Sequence, residues 1–186
     1  MSFKDILKLT IMHIIFFITG TILFVISFRT PLYGNINVLF YRGIILLLTV
    51  SLALAAALVF YKRTRHGRLL SYRDIVMCVT VLISFNILFF THVPITADRS
   101  VTVFILGHMS KHTDTVISKE DMTSFFVKRY VNDYSAMERR FDEQVVSGNV
   151  TQEGNGYKLT KRGKLLIKFY DLVADIFGID KKFISP

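Results

Sequence analysis

The sequence predicts a membrane protein that is mainly α-helical, with three transmembrane helices followed by a small α+β domain. Three observations predict it. Over half of the 186 residues are hydrophobic (52%) and the mean hydropathy is +0.45, too apolar for an ordinary soluble domain. Three runs without a charged residue, at 9–28, 43–61 and 75–95, each come close to the ~20 residues that cross a ~30 Å hydrocarbon core. After Ala97 the composition changes. Residues 1–97 carry nine Lys/Arg against two acids, whereas residues 98–186 carry fourteen against twelve. Most of the +9 net charge therefore belongs to the membrane half, where topology accounts for it, and the half at 98–186 is nearly balanced.

Span one, Leu9 to Phe28, is longer than the apolar core of a secretory signal and is followed by Arg29, Thr30 and Pro31 rather than a small-residue cleavage site, so a retained helix is expected. His13 lies near its start, close to Lys4 and Lys8, which suits the interface better than a buried functional imidazole. Gly20, flanked by Thr19 and Thr21, offers a place for another helix to approach closely. Pro31, Gly34, Asn35 and Asn37 break the chain into a link before span two, in which Leu52 to Ala57 gives good helix formers and a small-residue face. In span three, Asn86 is the one strongly polar residue and is expected to donate an interhelical hydrogen bond. Cys78 is the single cysteine, so neither a disulfide framework nor a thiol metal site is expected, and no residue pattern implies a cofactor.

Between spans two and three lies the loop that sets the orientation, Tyr61 to Asp74. It carries Lys62, Arg63, Arg65, Arg68 and Arg73 against the single acid Asp74. Short loops with such a cation excess stay in the cytoplasm. The N-terminus, with Lys4 and Lys8, then lies on the same side. Everything after the third span emerges on the far side: periplasm, cell exterior or organelle lumen.

At that exit stand His92, Asp98 and Arg99. They could meet a headgroup or phosphate, with His92 as acid or base, Asp98 orienting it and Arg99 holding the phosphate. A structural account is also available, in which Pro94 ends the helix, Asp98 or Ser100 caps the next, and Arg99 pairs with an acid or a headgroup. No nucleophile or carboxylate pair accompanies them, which favours the structural account. His108 and His112 share a helix face at metal-binding spacing, but neither a third ligand nor an HExxH pattern accompanies them.

The rest reads as helix, helix, helix, hairpin, helix. A helix is expected from Ser100 to about Lys111. Ser118-Lys-Glu-Asp121 opens another, Ser135-Ala-Met-Glu138 forms a capping box for a third, and Gly148 stops it. Gly154-Asn155-Gly156 tips a β-hairpin, and Thr160 caps a last amphipathic helix with Leu165, Phe169, Leu172, Val173, Ile176 and Phe177 on its apolar face. That face is expected to close the domain core, while Lys164, Lys168, Lys181 and Lys182 could rest on anionic headgroups. Asn149-Val150-Thr151 matches an N-glycosylation acceptor.

This order, with the run Tyr157-Lys-Leu159-Thr160-Lys-Arg-Gly163, resembles a winged helix-turn-helix over residues 100–178. In DNA-binding members of that family the third helix enters the major groove and the wing touches phosphates. The resemblance implies Ser135, Ala136, Glu138, Arg139, Asp142 and Glu143 as groove-facing positions and Lys158, Lys161 and Arg162 as wing positions. The acids on that helix oppose a phosphate backbone, and the expected topology places the domain away from any genome, so nucleic acid is not the expected partner. The leading expectation is a non-catalytic multi-pass accessory or scaffold subunit that displays the domain for protein recognition, in cell-envelope glycan or lipid-linked assembly. Its partners would be membrane lipids and another membrane protein. A membrane-tethered transcription regulator requires the opposite topology, and a headgroup-level enzyme requires His92, Asp98 and Arg99 to act together.

A cysteine or tag at Asn155 separates these topologies. Labelling by a membrane-impermeant reagent in intact cells is expected, and protection until the membrane is permeabilised would place the wing in the cytosol.

Overall fold

Length and capping account for the first three helices: α1 (Phe3–Ser27), α2 (Leu39–Lys62) and α3 (Tyr72–His92). In the computed structural model, which describes residues 2–65 and 67–186, these are the helices long and apolar enough to cross a membrane, the third continuing to Arg99. α1 and α2 are longer than their charge-free runs, because polar residues at the ends complete the first and last turns, whereas α3 matches its run in length and is shifted toward the N-terminus. Ser2 N donates to Asp5 Oδ2 at 3.0 Å at the start of α1. At the start of α3, Ser71 and Asp74 form a full capping box, with Ser71 N to Asp74 Oδ2 at 2.8 Å and Asp74 N to Ser71 Oγ at 3.2 Å. The one acid of the basic loop is thus committed to a cap.

Pro94 does not simply end a helix. It occupies the first turn of a short helix, α4 (Pro94–Arg99), which follows α3 after a break at Val93, and Ser100 then caps α5 (Val101–Met109) through Val103 N to Ser100 Oγ at 3.2 Å. The expected single helix from Ser100 to Lys111 is therefore shorter, ending at Met109.

The chain divides into two compact units, Met1–Phe104 and Ile105–Pro186. In the first, two apolar layers join the three long helices. Phe16, Leu58, Leu70, Ile75, Cys78 and Leu82 form one, and Phe24, Leu46, Leu47 and Phe90 form the other. Glycine permits both close approaches. A Cβ on Gly20 would lie 2.7 Å from both methyls of Leu82, and one on Gly43 would overlap the Phe90 ring. Asn86 is fully buried and donates to Thr21 Oγ1 on α1 at 3.1 Å and to Leu82 O at 2.9 Å, the interhelical bond expected of it. The alanine-rich segment corrects the sequence reading: Ala53, Ala56 and Ala57 face outward, and α2 packs through Leu46, Leu47, Ser51 and Leu58. The heavier side chains fill the space between the helices, where close packing rather than removal from water is the gain. Arg42, in the first turn of α2, ties down the preceding link by donating to Thr30 O at 2.9 Å and Leu32 O at 3.3 Å.

In the second unit, α6 (Lys119–Phe126) runs into a π-helix (Val127–Asp133), followed by α7 (Ala136–Val146), the antiparallel pair β1 (Val150–Glu153) and β2 (Gly156–Leu159), and α8 (Lys161–Phe177). Ser118 caps α6 as expected, accepting from Asp121 N at 3.0 Å. The Ser135 capping box is absent. Tyr134 N bonds back five residues to Arg129 O, the wide turn leaves Ser135 at φ 48°, and from that left-handed backbone its hydroxyl makes no cap bond. Gly148 (φ 73°) ends α7, and Gly154 (φ 59°) sits in the two-residue turn that sets Val150 opposite Leu159 and Gln152 opposite Tyr157.

Gly43→Val is expected to destabilise the first unit by about 1–3 kcal/mol, because the Phe90 ring must move. Asn86→Leu is expected to cost under about 1 kcal/mol: an interhelical bond worth ~0.6 kcal/mol goes, and so does a buried Asn86 Oδ1 that accepts no bond among the described residues. Thermal melting of the purified variants in detergent checks the order.

Candidate functional site

The surface built by α7, the hairpin and α8 is held together at one residue, Thr160. Its hydroxyl donates to Gly148 O at 2.8 Å and Asn149 O at 3.0 Å, and accepts from Gly163 N at 3.1 Å. Thr160 N donates to Asn149 O at 3.0 Å. The end of α7, the base of the hairpin and the start of α8 therefore meet on one side chain. Gly163 is required beside it, since a Cβ there would overlap Asn149 O and come within 2.6 Å of Leu159 Cδ1. The Phe141 and Tyr157 rings stack at 4.2 Å and join α7 to β2. Asn149, the glycosylation candidate, donates its amide to Gln144 Oε1 at 2.9 Å and Ser147 Oγ at 3.0 Å, so the nitrogen a glycan would need is already engaged.

The candidate interaction residues separate into three groups. Glu138 and Asp142 are exposed one turn apart on α7. Glu143 is not at the surface: it is 7% exposed and lies under Arg139 at 3.5 Å and Arg140 at 2.9 Å, where two guanidinium groups make its burial tolerable. On the hairpin, Lys158 reaches Glu153 at 3.5 Å, while Lys161 and Arg162 are exposed at the start of α8. Lys181 and Lys182, offered by the sequence as headgroup contacts, pair with Asp175 and Asp180, each at 2.7 Å.

The apolar face of α8 overturns an expectation. Leu165, Phe169, Leu172, Ile176 and Phe177 are 56–75% exposed, and only Gly163 and Ala174 of this helix are buried. The helix meets the hairpin at Gly163, which packs on Asn149 and Leu159; Leu166, Ile167 and Val173, the last of these also in the expected stripe, are half-buried, while the five residues above face outward. Periodicity in the sequence located the stripe but could not say which way it faces.

The membrane-exit residues do not assemble as a catalytic set. His92 Nδ1 donates to Leu88 O at 2.9 Å, and its interactions among the described residues are with its own helix. Arg99 Nε lies 3.9 Å from Asp98 Oδ2, the ion pair of the structural account. His108 and His112 have ring centroids 4.5 Å apart, yet His112 Nδ1 donates to His108 O at 3.0 Å and His108 stacks on Phe125 at 3.7 Å. No group of three or more potential metal ligands occurs among the described residues.

Of the loop cations, Lys62 closes α2 and Arg73 lies in the first turn of α3, with Arg63, Arg65 and Arg68 between. Lys62 Nζ donates to Leu70 O at 2.7 Å and lies 4.8 Å from the centre of the Tyr72 ring. The sequence reading overlooked Thr160 as a junction and Arg42 as a link clamp. A Thr before a helix signals only its cap, and an Arg near a span boundary signals only topology.

Partial loss of hydration, followed by the nearby positive charge of His112 and Lys111, holds the His108 imidazole below its ordinary value. The unfolded chain then takes up this proton at higher pH than the folded one. The contribution is complete above the ordinary imidazole range and is lost as pH falls through that range toward the folded value. NMR titration is expected to show His108 protonating at lower pH than a free histidine, and His112→Ala is expected to move it part of the way back. No protein-family model, curated protein or solved structure matches this chain.

Proposed function

We propose that the protein is a non-catalytic, multi-pass membrane accessory subunit. Its three long helices anchor it, and its C-terminal unit is a winged-helix-like module for protein recognition on the non-cytoplasmic side. The observation that carries this reading is the outward apolar stripe of α8, five large side chains each more than half exposed. A contiguous stripe of that size marks an interaction surface. In the same unit α7 exposes Glu138 and Asp142, which would repel phosphate.

The partner is a membrane protein. Recognition at the stripe would combine an apolar centre with the Lys161, Arg162 and Lys168 rim of α8, the arrangement of a recognition surface with a buried core and a polar edge. The setting we favour is cell-envelope glycan or lipid-linked assembly, on the strength of the basic and polar residues at the membrane exit.

Mild-detergent purification of the tagged chain is expected to recover a membrane protein. Phe169→Asp combined with Leu172→Asp is expected to lose it, with helix content and membrane insertion unchanged. Lys164→Gln is expected to retain it. A monomeric wild-type chain, or a partner that stays with the double variant, would overturn the proposal.

A further inference from the structure

The described residues of the loop between α2 and α3 are tied to one another and to the end of α2. Thr64 N and Thr64 Oγ1 both donate to Tyr61 O, at 2.9 and 2.7 Å, Gly67 N donates to Thr64 O at 3.2 Å, and Leu70 N donates to Gly67 O at 3.0 Å. Gly67 passes so close to the end of α2 that a Cβ would overlap Tyr61 O and lie 2.6 Å from Lys62 Cα. Leu70 is buried beneath, only 1% exposed, and its carbonyl holds Lys62. The described loop residues therefore form a platform against the end of α2.

Between this platform and the start of α1 lies a groove of ≈ 460 Å³. Its floor is apolar, formed by Leu9, Met12 and Ile15 of α1 with Leu69 and Leu70 of the loop. Its rim carries Lys8, Arg65 and Arg68, and no carboxylate lines it. Among the described residues none of these three cations forms an ion pair, and the loop's own acid, Asp74, is committed to the cap of α3. The groove continues along Ile11 and Ile15, side chains that the first unit leaves exposed on α1.

We propose that this groove is a binding site for an anionic phospholipid, with the headgroup phosphate between Lys8, Arg65 and Arg68 and an acyl chain along Leu9, Met12 and Ile15. Three unopposed cations above an apolar floor, at the end of a helix able to cross a bilayer, match a ligand with negative charge at one end and hydrocarbon at the other. The site rests on the membrane-spanning reading alone and requires neither the accessory-subunit role nor a particular side of the membrane.

The test uses the full chain in neutral detergent, with phosphatidylglycerol, phosphatidylcholine or inorganic phosphate added, read by native mass spectrometry and by thermal midpoint. Phosphatidylglycerol is expected to bind and raise the midpoint, while phosphatidylcholine at the same concentration and inorganic phosphate leave it unchanged. Lys8→Gln with Arg65→Gln and Arg68→Gln is expected to weaken phosphatidylglycerol on the order of 100-fold, about fivefold per cation, at an unchanged lipid-free midpoint. Lys161→Gln with Lys164→Gln and Lys168→Gln, an equal charge loss on α8, is expected to leave binding intact. If the first triple variant melts early without lipid, the single variant Arg65→Gln is read for its fivefold loss. Equal protection by phosphatidylcholine or by inorganic phosphate, undiminished phosphatidylglycerol binding in the groove variants, or an equal loss in the α8 variant would each overturn the site. None of these results bears on whether a membrane partner co-purifies.

Discussion

A hydrocarbon core offers no hydrogen-bond partner, and the first unit is arranged around that deficit. Backbone groups are satisfied within helices. Several hydroxyls along the spans turn back on their own helix, as Ser27 does to Phe24 O at 2.6 Å, Thr49 to Ile45 O at 2.8 Å and Thr91 to Ile87 O at 2.8 Å, whereas the buried Ser51 Oγ has no partner among the described residues. The amide of Asn86 is placed where α1 and α3 meet, with Thr21 to receive it. Charged residues are pushed to the ends, where they acquire structural duties: Arg42 clamps the first link, and Lys62 and Asp74 fix the second.

Between lipid-like surfaces, apolar side chains gain little by meeting one another, so close packing has to hold the three helices together. Gly20 and Gly43 supply it by admitting Leu82 and Phe90 against bare backbone. The exposed leucines, isoleucines and phenylalanines on the outer faces of these helices need no partner if lipid covers them. The same exposure on α8 has a different meaning, because that helix is shorter, amphipathic and carries cations along one edge of its apolar stripe.

The second unit solves its assembly through a junction rather than a deep core. Few of its described residues are fully buried, Glu143, Gly163 and Ala174 among them. The bonds of Thr160, the stacked Phe141 and Tyr157, and the ion pairs over Glu143 connect its elements. A unit built this way leaves large apolar side chains exposed, and its elements are joined by a few well-placed polar contacts.

The sequence by itself determined the three long helices, the hairpin between two strand-like arms, and the caps at Ser118, Thr160 and Gly148. These follow from local physics: run length against bilayer thickness, glycine's tolerance of positive φ, and a hydroxyl's reach to the next turn. It placed Asn86 correctly for the same reason, since a lone amide in an apolar run has few alternatives. Tertiary structure alone decided that the alanines of α2 face outward, that a π-turn leaves Ser135 unable to cap, that Glu143 is buried under two arginines, and that the α8 stripe is uncovered. It also decided that Lys8 shares one groove with Arg65 and Arg68, far along the chain. Each of these depends on which neighbour reaches a surface first, and periodicity, which fixes the faces of a helix, carries no information about what covers them.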